Sequence, residues 1–208
     1  MPGPSGQDQC PSARSLSGAL DGLMVKTMEN KRYERALIRN LHEIGRAIFE
    51  RRAMVGMESA KTYHAVDFFR LAYDALFNDM VAHVIKATDR HRESASFWYV
   101  LRCDEKTVHS YMAYKGYDLR KMEIISDKLK MIRDMTHFHI DKKSVFSPQG
   151  VWKKAKLTGR ELSEFMDTIW DILNHVHENK LGKSFVFPTY DGSDATKILK
   201  LVKKEGLG

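Results

Sequence analysis

The chain has 208 residues, 43% hydrophobic and 29% charged, and its 34 Lys plus Arg against 27 Asp plus Glu give a formal charge of +7. That length suits one well-buried core rather than two, and the positive balance favours association with polyanions such as RNA. Cys10 and Cys103 are too few for a disulfide framework or a cysteine-built zinc site, and no apolar run approaches the roughly 20 residues that span a bilayer.

Residues 1–17, MPGPSGQDQCPSARSLS, hold almost no large apolar groups, so a disordered leader is expected. No charged-then-apolar secretion signal is visible, and a cytoplasmic protein without membrane contact is expected. From Leu20, apolar residues recur at helical spacing through Leu37, Leu41, Ile44 and Ile48, with a weaker stretch at residues 29–31 that reads as a break. The other face carries Arg35, Arg39, Arg46, Arg51 and Arg52, a row that reads as a solvated helix surface. Gly56 reads as a helix stop and Ser59 as a cap for the next helix. The next pattern, residues 60–89, is apolar at Phe68, Phe69, Leu71, Leu76, Val81, Val84 and Ile85, which predicts a central helix touched on more than one side. Its His64 and His83 read as core or boundary residues without a role.

Residues 90–94 read as a turn before two shorter helices, SASFWYVLR and KTVHSYMAY, whose aromatic residues suit buried packing better than base stacking. Gly116 ends the second, and Met122, Ile125, Leu129 and Ile132 then mark one buried face of another helix. SVFSPQGVW, with Pro148 and Gly150, reads as a loop. Thr158 and Glu161 have the spacing of a capping box for a helix burying Leu162, Phe165, Ile169, Leu173 and Val176. SFVFPTY has strand character limited by Pro188, and Asp191 or Ser193 caps a short basic helix, ATKILKLVKKE. The expected architecture is all-α: a bundle of four or five main helices within residues 18–180, then an extension at 181–208 carrying the short basic helix.

Where the Met122 helix ends, Arg133, Asp134, His137, His139 and Asp141 arrive together, with Lys142 and Lys143 directly after them. The cluster can be a helix cap, since cations at a carboxyl end meet exposed carbonyls. It can be a metal site, because His137, His139 and Asp141 alternate and imidazole with carboxylate suits zinc or iron, although the adjoining lysines oppose a cation. It can also act on a phosphodiester: histidine exchanges protons near neutral pH, and arginine holds two phosphoryl oxygens while charge builds in the transition state. Spacing alone leaves these three open.

Arg133, polar Asp134 and His139 in RDMTHFH, with IDK next in the chain, resemble the signature of the HEPN superfamily, an arginine, a polar residue and a histidine a few positions on. The likeness covers about residues 63–178, is carried also by the long helix ending in Asp89 with FWYVLR soon after and by VW followed by LTGRELSEFMDTIWDIL, and is similar in context to the abortive-infection branch. The resemblance implies a dimerising helical bundle and a metal-independent endoribonuclease with no cofactor, serving phage defence or a toxin system with room for an antitoxin partner. In such an enzyme Arg133 would bind and polarise the scissile phosphate, His139 would assist proton transfer as the ribose hydroxyl attacks, and Asp134 would orient Arg133. His137 and Asp141 would be accessory, and Lys142 and Lys143 would meet the RNA. Some members of the superfamily are instead non-catalytic RNA- or protein-binding modules.

Overall fold

The computed structural model describes residues 13–61, 63–137 and 148–206, and among these the regular structure is entirely helical. The chain divides into two compact units, Met1–Arg35 and Ala36–Gly208. The described part of the first is the beginning of helix α1, Ala13–Ala60, which takes in residues 13–17 of the stretch expected as leader. Ala13, Arg14 and Leu16 are good helix formers, which the leader's Pro and Gly content masks. Residues 29–31 do not interrupt α1 either, because Glu29, Lys31 and Arg32 favour helix even where no apolar stripe exists.

The second unit is an α-helical bundle. After the α1 stretch come α2 (Asp67–Thr88), α3 (Phe97–Cys103), α4 (Glu105–Lys115), α5 (Leu119–Ile132), α6 (Pro148–Ala155), α7 (Gly159–Leu181) and α8 (Ser193–Lys204). Its core is formed by Leu37, Leu41 and Ile44 of α1, Val81 and Val84 of α2, Phe97 of α3, Leu129 and Ile132 of α5, and Ile169, Ile172 and Leu173 of α7, all buried. Met122, Ile125, Leu129 and Ile132 face this core, as their spacing predicts. Asp118 opens α5 by accepting the backbone N–H groups of Arg120 and Lys121 at 2.8 and 3.2 Å. Thr158 and Glu161 form the expected capping box of α7. Residues 181–208, expected as an extension, fall inside the same compact unit, with Leu199 of α8 fully buried.

Four local expectations give way to packing. Gly56 does not stop α1. It lets the helix touch the loop before α8, since a Cβ there would stand 2.3 Å from the Gly192 carbonyl oxygen. Ser59 lies within α1 and donates back to the Gly56 carbonyl at 2.8 Å. The Pro148 region is not a loop but the start of α6, where proline suits a first turn that has no N–H partners anyway. Val151 and Ala155 of α6 are buried, and Trp152 packs on Phe77 of α2 at 5.2 Å between ring centroids. SFVFPTY forms no strand, and its Phe185 and Phe187 instead pack edge-on against Trp170 and His42.

α2 is not apolar in its surroundings throughout. Residues 80–88 contain its buried positions, whereas Phe68 and Leu71 are 71% and 69% exposed. The arginine row of α1 is not simply solvated: Arg51 makes a paired contact with Asp167 at 2.9 and 3.0 Å, and Arg52 donates to the Tyr190 carbonyl at 3.1 Å. Phe97, Trp98 and Leu101 are buried as expected, but Tyr114 is exposed. No helix among the described residues is long and apolar enough to cross a membrane.

Candidate functional site

Arg133 comes directly after α5 and begins a π-helical turn, Arg133–His137. Such widened turns are costly for the backbone and occur often at functional positions. Thr136 contributes to this one by donating its hydroxyl to the Ile132 carbonyl at 2.7 Å, a side-chain bond that competes with regular helix hydrogen bonding. Arg133 is held from two directions. Its Nε donates to Asp134 Oδ1 at 2.7 Å, and its Nη1 donates to Asp89 Oδ1 at 3.2 Å. The Asp134 hydrogen bond is the main reason the guanidinium is held even more firmly protonated than usual, with Asp89 adding to it.

Asp89 is the residue that ends α2, and it is fixed in turn: its side chain accepts the His91 N–H at 3.1 Å, and its carbonyl accepts the Ser96 hydroxyl at 2.5 Å. Trp98 Nε1 donates to the Thr88 carbonyl at 3.0 Å, tying α3 to the same corner. The neighbouring Arg90 lies over the Trp98 ring at 5.3 Å and pairs with Asp127 at 3.1 Å. Between these elements lies a shallow recess lined by Thr88, Asp89, Arg90, Ser126, Lys130 and Arg133. The Ser126 hydroxyl is buried there without a hydrogen-bond partner among the described residues. The recess is small, about 10 Å³, and two of its three cations are already paired, Arg90 with Asp127 and Arg133 with Asp89 and Asp134.

Of the residues expected at the site, Arg133 and Asp134 are therefore in contact. His137 lies in the π turn, with its side chain outside the described residues. His139, Asp141, Lys142 and Lys143 all lie outside the described residues. Asp89 was not legible as a site residue, because its partner stands 44 positions away along the chain.

A second polar centre lies in the interior, between α1 and α2. His83 is 4% exposed, and its Nδ1 lies 2.5 Å from Glu43 Oε2. Its Nε2 faces Asp79 Oδ2 at 3.5 Å and Glu50 Oε1 at 3.7 Å. Burial would raise Glu43, but the His83 ring, the Arg39 guanidinium and the charge of Lys86 outweigh it and hold this carboxyl below its ordinary range. Glu50 goes the other way: burial first, then the adjacent Asp79 carboxylate, push it up to about 8. The signals in the sequence were Glu43 and Glu50 seven apart on the buried stripe of α1, and Asp79 and His83 one turn apart on α2.

A further cavity of about 410 Å³ opens between the start of α5 and α7, floored by Met122, Ile125 and Phe165 and rimmed by Lys121, Glu161 and Glu164. None of the residues expected at the site lines it.

Fold and geometry together define an all-α bundle with a surface arginine centre and an interior histidine–carboxylate centre. No family model, curated protein or solved structure matches this chain.

Proposed function

We propose that the protein is a metal-independent RNA endonuclease of the HEPN type, acting as a homodimer in phage defence or as a toxin, with Arg133 and His139 as its catalytic residues. The observation that carries this reading is the setting of Arg133: part-buried at a helix end, fixed by Asp89 and Asp134, with Arg90 and Lys130 lining the same small recess. A guanidinium has five N–H donors, so the bonds to Asp89 and Asp134 leave capacity for phosphoryl oxygens. Holding it in place beforehand avoids reorganisation as negative charge develops on the phosphate.

In this mechanism the ribose 2′-hydroxyl attacks the adjacent phosphorus while His139 accepts its proton. The bond from phosphorus to the 5′-oxygen breaks, that oxygen takes a proton from water and leaves as a 5′-hydroxyl, a 2′,3′-cyclic phosphate remains, and Arg133 stabilises the charge on the non-bridging oxygens. Lys142 and Lys143 supply phosphate contacts along the strand.

The test is cleavage of labelled RNA in chelator by the parent chain and by Arg133→Ala and His139→Ala. Cleavage is expected to survive chelator, and each substitution is expected to lower it by roughly 10²- to 10³-fold. Folded variants that cut as fast as the parent would end the assignment. RNA binding without turnover by the parent would favour a non-catalytic module instead.

A further inference from the structure

In the interior centre between α1 and α2 Glu50 interacts with Asp79, yet two buried polar atoms of the centre are left over. His83 Nε2 and Glu50 Oε2 are both buried without a hydrogen-bond partner among the described residues, and the facing atoms of Glu50, Asp79 and His83 all lie within 4.8 Å of one another. The 3.5 and 3.7 Å separations from His83 Nε2 to the two carboxylates are too long for hydrogen bonds of normal strength. They match the spacing of neighbouring ligands around one ion: bonds of about 2.1 Å at the tetrahedral angle place ligand atoms about 3.4 Å apart.

Glu43 completes the pattern from the other side of the ring. Its carboxylate, 2.5 Å from Nδ1, selects the tautomer with the proton on that nitrogen. In the neutral ring the lone pair then sits on Nε2, facing Glu50 and Asp79. A carboxylate that orients a histidine in this way is the usual outer partner of a metal-bound imidazole. Arg39, at 2.7 Å, and Lys86, at 4.0 Å, balance Glu43 rather than the proposed ligands. Arg46 approaches Asp79 at 3.8 Å, but its side chain is largely exposed and free to swing aside.

We propose that Glu50, Asp79 and His83 bind one divalent transition-metal ion, with Glu43 holding the His83 ring so that Nε2 faces the metal. One imidazole nitrogen and two carboxylates suit zinc, iron(II), manganese or cobalt, and water fills the remaining coordination from the Asp79 side, where that side chain is 51% exposed. The site is separate from Arg133 and does not depend on the ribonuclease reading.

The experiment adds Co²⁺ to the untagged, chelator-stripped full chain and tracks visible ligand-field absorption together with equilibrium dialysis. One Co²⁺ per chain is expected, displaced by Zn²⁺, with a higher Tm in the loaded protein. His83→Gln and Asp79→Asn should each abolish the absorption. Glu43→Gln keeps all three ligands and should weaken binding roughly 10- to 100-fold. Asp79 is half exposed, so Asp79→Asn is the deciding variant if His83→Gln does not fold. His139→Gln should leave binding unchanged. The proposal is overturned if the parent takes up no stoichiometric Co²⁺, if Asp79→Asn binds as well as the parent, or if His139→Gln rather than the interior variants removes the signal.

Discussion

The two polar centres of this protein are built in opposite ways. Around Arg133 the charged groups lie at a helix end, where each side chain keeps some contact with solvent and the pairing is charge against charge. Around His83 three of the four groups, Glu43, Glu50 and His83, are buried and Asp79 is half exposed, each helix contributes two of them, and two of the polar atoms have no hydrogen-bond partner among the described residues. Solvent makes the first centre inexpensive to build and easy to rearrange. The second imposes a desolvation cost that the fold must offset with fixed geometry or with a bound ion.

That contrast predicts different responses to removing one partner. His83→Leu removes the buried hydrogen-bond partner of Glu43, which keeps Arg39 and Lys86, and a buried acceptor left short of a bond costs about 1–3 kcal/mol. Asp89→Asn removes a partly exposed charge, so stability should change by at most about 1 kcal/mol. RNA cleavage should nevertheless fall roughly tenfold, because the charged acceptor that fixes Arg133 Nη1 is replaced by a weaker neutral one. Urea unfolding of both variants, with the cleavage rate of the second, checks this. If Asp89→Asn destabilised as much as His83→Leu, the two centres would not differ in kind.

A comparable effect on stability is expected at Gly56, one turn beyond Arg52 along α1. A methyl group there would meet the Gly192 carbonyl oxygen at 2.3 Å, and this is backbone that cannot rotate away. Gly56→Ala should cost about 1–3 kcal/mol in urea unfolding. An unchanged midpoint would mean that the loop before α8 is not packed on α1 as described.

The same contrast explains what the sequence could and could not disclose. The four apolar residues of α5, the α7 capping box and the glycine that ends α4 are set by neighbours within a few positions, and each is found where its spacing places it. Arg133 and Asp134 are adjacent, so their contact is local as well. The His83 centre is not, because its partners come from two helices and each half taken alone resembles a core position. Gly56 and Pro148 misled for a similar reason. Each has a strong local meaning, helix stop or loop, that tertiary contacts from the loop before α8 and from α2 override.

The smallest effect belongs to the capping box of α7, where Thr158 and Glu161 bond to each other and Glu161 also accepts from Lys128. Glu161 is held down at about 2, first by the Thr158 backbone N–H, then by its hydroxyl and by Lys128. A carboxyl whose native value lies below its ordinary 4.5 contributes stability that is present above that pH and is lost as pH falls through about 2. Thr158→Ala should therefore cost about 1 kcal/mol at pH 7, the usual worth of such a cap. The gap between parent and variant should narrow as the pH is lowered toward 2, because the parent then loses its Glu161 bonds too. Urea midpoints measured across that range test the sign directly, and a gap that widened on acidification would show that Glu161 does not act through Thr158. Neither Co²⁺ binding nor RNA cleavage should change at pH 7. A shift in either would mean that α7 couples to a centre it does not touch.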